Sequence, residues 1–202
     1  MPRNKYPELT RRRFVPSEDP CYSPIPRSEL VFYNPEKSIS QLRMKIVSKP
    51  NPIPDDTTLV VYIDARASYG VYFGPNSPCN WKGLLDESLP QTSTRAEIEA
   101  LVQALPMIDL ITHLNWRLYR IIIATDSSFL VKALSQWMKH WIERGGVGSN
   151  GRQVAHFKIM KWMYDWLNRW EDKGQGEIQL WHIPREMNRE ADALANKALD
   201  EA

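Results

Sequence analysis

The sequence predicts a mixed α/β domain, in which an initial run of strands is followed by alternating helices and strands. Short apolar runs rich in β-branched residues, such as residues 59–63 and 120–125, have the length of buried strands. Longer segments, such as residues 95–105 and 154–170, repeat their apolar side chains at helical spacing. The predicted order is β-β-β-α-β-α-α-β-α, which is typical of a mixed sheet covered by helices.

The first three elements are predicted to form an antiparallel meander. Residues 59–63 are predicted to form a buried strand that ends at Asp64. A second strand, residues 69–73, is interrupted by the turn sequence Gly-Pro-Asn-Ser-Pro at 74–78. Residues 81–89 are the predicted third strand.

The second half of the chain alternates between helices and strands. Apolar residues at helical spacing define the helices, and the most apolar run of the chain, around residues 121–124, defines the central strand of this half. The predicted elements are a helix over 95–105, a strand over 120–125, helices over 127–141 and 154–170, a strand over 178–183 and a helix over 190–199.

Composition excludes several classes of protein. Hydrophobic residues make up 43% of the chain and charged residues 25%, so a collagen, a low-complexity polymer and wholesale disorder are excluded. No apolar run approaches the 18 residues of a membrane helix. The N-terminus lacks the apolar region of a secretory signal peptide. The two cysteines are isolated, which argues against a disulfide framework or a zinc site. We expect an intracellular protein of the nucleus or cytoplasm rather than the mitochondrion, without a membrane partner.

Residues 1–56 differ in composition from the rest of the chain. Ten of the fifteen prolines lie between residues 2 and 54, and residues 1–50 carry ten Lys and Arg against five Asp and Glu. We therefore expect a poorly ordered, basic extension over 1–56, followed by one domain over 57–202. The extension, with its basic cluster at 11–13, either contacts nucleic acid or an acidic partner, or is simply a solvated leader.

Four carboxylates lie at positions where α/β sheets commonly carry their binding or catalytic sites. Asp64 and Asp126 each end an apolar strand, whereas Glu97 and Asp192 lie in the first turn of a helix. Strand ends and the following helix starts share one edge of a sheet. Oxygen-only ligation there suits Mg²⁺ or Mn²⁺. Each residue taken alone is equally consistent with an ordinary turn or helix cap.

The sequences around these carboxylates resemble the type I ribonucleases H, and the fungal members in particular. Tyr-Ile-Asp at 62–64 resembles the first-strand motif, and Gln-Thr-Ser-Thr-Arg-Ala-Glu at 91–97 resembles the motif of the second acid. Thr-Asp-Ser at 125–127 and Asn-Arg-Glu-Ala-Asp-Ala-Leu-Ala at 188–195 resemble the motifs of the third and fourth acids. The resemblance covers about residues 58–200 and also includes the second strand and turn at 68–78.

This resemblance implies a fold and an activity. The fold is a mixed five-stranded sheet flanked by helices. The activity is endonucleolytic hydrolysis of the RNA strand of an RNA–DNA hybrid, which leaves 5′-phosphate products. Two Mg²⁺ ions, for which Mn²⁺ can substitute, would be held by the four catalytic acids and would need no small-molecule cofactor. These acids are Asp64, Glu97, Asp126 and Asp192.

The resemblance also implies two surfaces that bind the hybrid. Ser93 and Thr94 occupy positions that contact the RNA strand. Phe129 and Trp137 resemble the aromatic pair of the DNA-strand channel, although Trp137 is equally consistent with a core residue. The basic protrusion beside this pair would contain Lys139, Arg144 and Arg152.

The chain departs from the family pattern in four places. Ala65 replaces the usual glycine, and the loop after Asp64 is almost deleted. Pro90 and His156 replace the arginine and asparagine of the phosphate pocket. The mobile histidine before the last acid is absent, and we interpret His182, on the preceding strand, as structural. These departures keep two alternatives open, a catalytically weak or inactive nucleic-acid-binding domain and a scaffold with the same fold.

Overall fold

The computed structural model describes residues 12–202. Within this range, one sheet contains eight strands. The strands are β1 (Val31–Asn34), β2 (Ile39–Met44), β3 (Ile53–Pro54), β4 (Thr58–Ala65), β5 (Ser68–Tyr72), β6 (Trp81–Leu84), β7 (Arg120–Thr125) and β8 (Glu177–His182).

Helices cover both faces of this sheet. The helices are α1 (Arg27–Leu30), α2 (Ser93–Leu114), α3 (Ser128–Lys132), α4 (Met138–Glu143), α5 (Phe157–Asp172) and α6 (Arg189–Asp200). A π-helical turn, Ala133–Trp137, joins α3 to α4 without a break. Among residues 12–202, no helix combines the length and the apolar character needed to cross a membrane.

The predicted five-stranded mixed sheet is confirmed as the centre of the fold. Its order is β6-β5-β4-β7-β8. Strand β4 pairs antiparallel with β5 and β5 with β6, whereas β4 pairs with β7 and β7 with β8 in parallel. The carboxyl ends of β4, β7 and β8 therefore meet at one edge.

The two faces of the sheet bury different parts of the chain. Leu59, Val61 and Ile63 of β4 pack on one face with α2 and α5 in the larger core. Val60 of the same strand packs on the opposite face, in a smaller core. This alternation follows from the two-residue period of a strand and leaves β4 buried on both sides.

The expectation of a poorly ordered extension is wrong for residues 12–56. These residues supply β1, β2 and β3 to the sheet, and their side chains Phe14, Tyr22 and Leu30 are buried in the smaller core against Trp181. The prolines fix turns between short elements, while the intervening apolar side chains cover a sheet face that would otherwise be exposed to water. Residues 1–11, including Arg11 of the basic cluster, lie outside the described part of the chain.

Three predicted boundaries differ from the structure. The third strand of the meander, β6, ends at Leu84 rather than at residue 89. Helix α2 continues through Pro106 to Leu114, because Ile108 and Ile111 remain buried on the same face beyond the proline. The helix predicted over 127–141 runs over 128–143 and contains the π-helical turn.

The last helix lies unusually close to the sheet at Gly70. This residue pairs with Asp64 across β4 and β5. A Cβ atom built on Gly70 would lie 2.2 Å from the backbone oxygen of Ala191 and 2.8 Å from the backbone nitrogen of Ala195, both on α6. Nearby, the Ser68 hydroxyl donates a hydrogen bond of 2.6 Å to the Ala195 carbonyl. The absent side chain at Gly70 therefore sets the position of α6.

Replacing Gly70 with Ala should displace α6 and lower the stability of the fold. Overpacking of this kind costs about 1–3 kcal/mol, because the colliding atoms belong to backbone and have little freedom to move. The measurement is the free energy of unfolding from a urea titration. Gly148→Ala is the control, since a Cβ atom there would meet its first neighbour at 3.3 Å. Equal stability of the two variants would contradict this account of α6.

Candidate active site

The parallel register of β4 and β7 brings Asp64 and Asp126 together. Tyr62 pairs with Ala124, and each aspartate follows two residues later on its own chain. Both side chains therefore leave the same edge at the same height. Asp64 is buried, with 9% of its surface exposed, and Asp126 is half-buried.

Asp192 reaches this edge from the first turn of α6. One of its oxygens, Oδ1, accepts hydrogen bonds from Arg66 Nη2 at 3.2 Å and from Arg185 Nη2 at 3.5 Å. The other, Oδ2, accepts from Asn196 Nδ2 at 2.9 Å. Both arginine side chains are more than half exposed, so these ion pairs contribute little free energy.

Asn188 links two of the carboxylates to the backbone. Its Nδ2 donates to the Ile63 carbonyl at 2.9 Å, to Asp64 Oδ1 at 3.3 Å and to Asp126 Oδ1 at 3.5 Å. The residue is 1% exposed, and its Oδ1 is buried without a hydrogen-bond partner in the described residues. An oxygen in this position is available to accept from a group that enters the site.

Glu97 approaches the same edge from α2. The Ser127 hydroxyl donates a hydrogen bond to Glu97 Oε2, and Ser127 also caps α3 by accepting from the Leu130 backbone nitrogen at 3.2 Å. Burial raises the pKa of Glu97, the Ser127 hydrogen bond lowers it, and the charge of Asp126 raises it. Glu97 is therefore held within the electrostatic field of Asp126.

Negative charge is crowded at Asp64. Burial raises its pKa from 3.8 to about 8, and the charges of Asp126 and Asp192 and their side-chain hydrogen bonds act in the same direction. The structure thus places Asp64 next to both Asp126 and Asp192, and Glu97 within the electrostatic influence of Asp126. No set of three or more His, Cys, Asp or Glu within residues 12–202 is already gathered as a complete metal-ligand cluster.

The donor atoms of the side chains at this edge are nevertheless of the type that binds a hard divalent cation. The donors are carboxylate oxygens and the unpartnered amide oxygen of Asn188, which are ligands that Mg²⁺ and Mn²⁺ prefer. Arg66 and Arg185 form ion pairs with Asp192, whereas the charges of Asp126 and Asp192, after burial, raise the pKa of Asp64. A bound cation would relieve this repulsion.

Ser93 and Thr94 lie in the first turn of α2, one turn before Glu97. Thr92 caps the helix by accepting a hydrogen bond from the Arg95 backbone nitrogen at 3.2 Å. Ser93 is exposed and Thr94 is half-buried. Both residues therefore precede Glu97 by about one helical turn on the same helix.

The aromatic residues predicted to bind nucleic acid form one cluster. The ring centroids of Phe129 and Trp137 are 6.1 Å apart, and Trp141 lies 5.6 Å from Trp137. All three are half-buried against the larger core. The rings therefore have a packed side and an accessible side, so the structure is compatible with both interpretations of Trp137.

Basic side chains surround this cluster. Lys139 lies on α4, and Arg144 is the residue that ends it. Arg152 belongs to a short hairpin in which Val147 pairs with Gln153. All three residues are exposed, and neither arginine forms a salt bridge with any residue between 12 and 202. These exposed side chains carry positive charge, and their contact with nucleic acid stays a prediction.

Most of the chain, including all four acids, matches one protein family. The family model described as RNase H matches residues 58–200. The chain belongs to the ribonuclease H family. Residues 12–57, which extend the sheet and fill the smaller core, precede the matched region.

Two relatives illustrate the extent of the similarity. Ribonuclease H1 of Rattus norvegicus is 30% identical over 156 residues, which cover 69% of this chain and 50% of that protein. Ribonuclease H of Phenylobacterium zucineum (strain HLK1) is 28% identical over 162 residues, which cover 71% of this chain and 92% of that protein. The chain spans about half the length of the mammalian ribonucleases H1 that it matches.

Solved structures confirm the ribonuclease H fold. A structure of the foamy viral protease-reverse transcriptase in complex with double-stranded DNA aligns with a TM-score of 0.53 at 22% identity, covering 69% of this chain and 92% of that one. LC11-RNase H1, isolated from compost, aligns with a TM-score of 0.50 at 19% identity, covering 72% of this chain and 97% of that one. At these identities the likeness concerns the fold alone.

Sequence reasoning missed four side chains of this ribonuclease H site. Asn188 and Ser127 were part of the quoted motifs, but nothing in the pattern indicated that they hold the carboxylates of other elements. Arg66 and Arg185 are far apart in sequence, and only the fold brings both to Asp192. His182 was interpreted as structural, and its Nε2 lies 3.3 Å from the Asp126 carbonyl oxygen.

Metal-free stability should fall as the pH rises, because of Asp64. Its folded pKa of about 8 lies above the ordinary value of 3.8, so between these values the folded protein keeps a proton that the unfolded chain has released. Stability therefore decreases with increasing pH across this interval. Asp64→Asn removes the titrating group and should weaken the decrease. The measurement is the unfolding temperature in EDTA between about pH 5 and pH 8.

The matched control for this experiment is Asp109→Asn, because Asp109 is an exposed carboxylate on α2. This variant should keep the pH dependence of the unmodified chain. Identical pH dependence of the Asp64→Asn variant and the unmodified chain would contradict the raised pKa of Asp64 in the folded protein.

Proposed function

We propose that this chain is an endonuclease that hydrolyses the RNA strand of RNA–DNA hybrids and leaves 5′-phosphate products. The observation that carries the proposal is the convergence of Asp64, Asp126 and Asp192 at one sheet edge, with Glu97 beside Asp126. All four acids lie within the region that matches the family. Carboxylates crowded in this way favour a cationic reaction centre over an uncharged ligand.

Asp64, Glu97, Asp126 and Asp192 would hold two Mg²⁺ ions, for which Mn²⁺ can substitute. When bound, the ions supply Lewis acidity and lower the pKa of an attacking water. The protein side chains orient the ligands. Asn188 fixes the carboxylates of Asp64 and Asp126, and Ser127 fixes that of Glu97. Removing a side chain that orients metal ligands in this way typically lowers activity by about 10- to 100-fold.

Recognition of the hybrid is assigned to the two surfaces beside this edge. Ser93 and Thr94 carry short hydroxyls that can hydrogen-bond with a 2′-hydroxyl, the group that distinguishes RNA from DNA. The accessible sides of Phe129 and Trp137 suit stacking or sugar contacts with the DNA strand. Lys139, Arg144 and Arg152 supply positive charge for its phosphates.

Cleavage of a labelled RNA–DNA hybrid should require Mg²⁺ or Mn²⁺ and should stop in EDTA. Asp126→Asn removes a carboxylate at the centre of the site and should lower kcat by more than about 100-fold, with a small effect on hybrid binding. The measurement is the release of labelled RNA fragments. Asp109→Asn is the matched control and should cleave normally. Cleavage that persists in EDTA would contradict the metal-dependent mechanism.

A second candidate function is hybrid binding with little or no cleavage. The observation in its favour is the tight connection between β4 and β5, in which only Arg66 and Ala67 separate the strands and the Arg66 backbone nitrogen donates to the Ser68 carbonyl at 2.8 Å. Such a short connection leaves little chain to contact the RNA strand. The same assay separates the two functions, because this candidate predicts a bound hybrid that remains intact with Mg²⁺.

Replacing Lys139, Arg144 and Arg152 together with Ala should weaken substrate binding and leave chemistry nearly unchanged. Each lost phosphate contact removes about 0.9 of the slope of log affinity against log salt, so the slope should fall by about 2 to 3. KM should rise and kcat should remain close to its original value, since these side chains bind the DNA-strand phosphates and do not hold the metal ions. A lower kcat with unchanged KM would show instead that the protrusion positions the scissile phosphate.

A further inference from the structure

A pocket lies where the N-terminal segment meets the end of β8. Its volume is about 290 Å³, and it opens between residues 13–16, Arg27 and residues 181–184. A water occupies about 30 Å³ in the liquid, so the pocket has room for a phosphate group together with several waters. Most of this pocket is built by residues that precede the family-matched region.

The charge of this pocket favours an anion. Arg13, Arg27 and His182 contribute to its lining, and no carboxylate side chain does. Both arginines are exposed, and neither forms a salt bridge with a residue in the described range 12–202. Two guanidinium groups without a carboxylate partner form a surface that can bind a phosphate through paired N–H donors.

The backbone that carries Arg13 is held in place. The Leu180 nitrogen donates to the Arg12 carbonyl at 2.7 Å, and the Phe14 nitrogen donates to the Leu180 carbonyl at 2.9 Å, so residues 12–14 pair with the outer edge of β8. Phe14 packs edge-on against Trp181 at 5.5 Å between ring centroids. A fixed backbone on both sides of Arg13 reduces the entropy lost when its side chain binds a ligand.

The pocket is adjacent to the carboxylate edge. His182 ends β8 opposite Thr125 of β7, and its Nε2 lies 3.3 Å from the carbonyl oxygen of Asp126. A polyanion that reaches Asp126 is therefore also beside the pocket that His182 lines. A free small anion would gain nothing from this adjacency, whereas a continuous nucleic-acid backbone would contact both places.

We propose that this pocket binds a backbone phosphate of the nucleic-acid substrate next to the position of cleavage. Arg13 and Arg27 contact the phosphate, and His182 forms the wall between the pocket and the carboxylate edge. The proposal rests on the proposed function for the identity of the nucleic acid, an RNA–DNA hybrid. It gives the N-terminal segment a role in substrate binding besides its role in the fold.

The test replaces both arginines with Gln in the full chain and measures binding of a labelled RNA–DNA hybrid by fluorescence anisotropy in EDTA, over a range of salt concentrations. The expected result is a roughly tenfold higher Kd and a salt slope lower by about two, because two phosphate-directed charges are lost. The matched control is Lys49→Gln with Arg117→Gln. These exposed residues adjoin the opposite ends of the strands, in the β2–β3 connection and before β7, and their replacement should have a smaller effect.

A second arm locates the contact by replacing single phosphates of the hybrid with uncharged methylphosphonates. One or two positions should weaken binding to the unmodified chain but not to the Arg13→Gln, Arg27→Gln variant. The absence of any such position, or equal effects of the test and control variants, would overturn the proposal. Unfolding temperatures close to that of the unmodified chain would show that the test variant is folded.

The two proposals fail in different ways. If the chain binds the hybrid through this pocket but does not cleave it with Mg²⁺, the pocket is supported and the nuclease function is overturned. If the chain cleaves the hybrid and the arginine variant binds and cleaves it normally, the nuclease function is supported and the pocket is overturned. Absence of any hybrid binding would overturn both.

Discussion

The parallel pairing of β4 with β7 is the constraint on which the site depends. Because Tyr62 lies opposite Ala124, the chain has no freedom to separate Asp64 from Asp126, and burial of both faces of β4 fixes that register. The consequence is a buried carboxyl group at Asp64 next to a second acid, and its pKa is raised first by burial and then by the charges of Asp126 and Asp192. Burial and repulsion thus lower stability at the candidate site, a common arrangement in functional sites.

The remaining carboxylates depend on this strand pair through side-chain contacts. Asn188 binds the end of β4 immediately before α6 begins, so the helix that carries Asp192 starts from the edge that holds Asp64. Gly70 then lets α6 lie against β5 at backbone distance. On the other face, Ser127 connects Asp126 to Glu97 by one hydrogen bond. Asp64, Asp126 and Glu97 are therefore each contacted by an uncharged side chain or followed by one, whereas Asp192 also pairs with two arginines.

The N-terminal segment combines structural and electrostatic roles. Its apolar side chains fill the smaller core against Val60, Ile122 and Trp181, and residues 12–14 cover the outer edge of β8. A covered edge is protected from pairing with other chains. The same segment presents Arg13 and Arg27 next to the carboxylate edge, so the basic charge that the composition places in residues 1–50 is partly concentrated beside the site.

The sequence by itself determined the order of the central strands and helices and the four acids at their ends, because strand and helix periods and strand-terminal carboxylates are local features of the chain. It misjudged residues 12–56, because prolines obscure periodicity and the burial of Phe14 or Tyr22 depends on a sheet face formed by distant residues. Only the tertiary structure decided the contacts of Asn188, Ser127, Arg66 and Arg185 with the acids, and that of residues 12–14 with β8, which forms the pocket lined by Arg13 and His182. These contacts join residues far apart in sequence, and hydrogen bonds and charges across such separations leave no periodic signal in the chain.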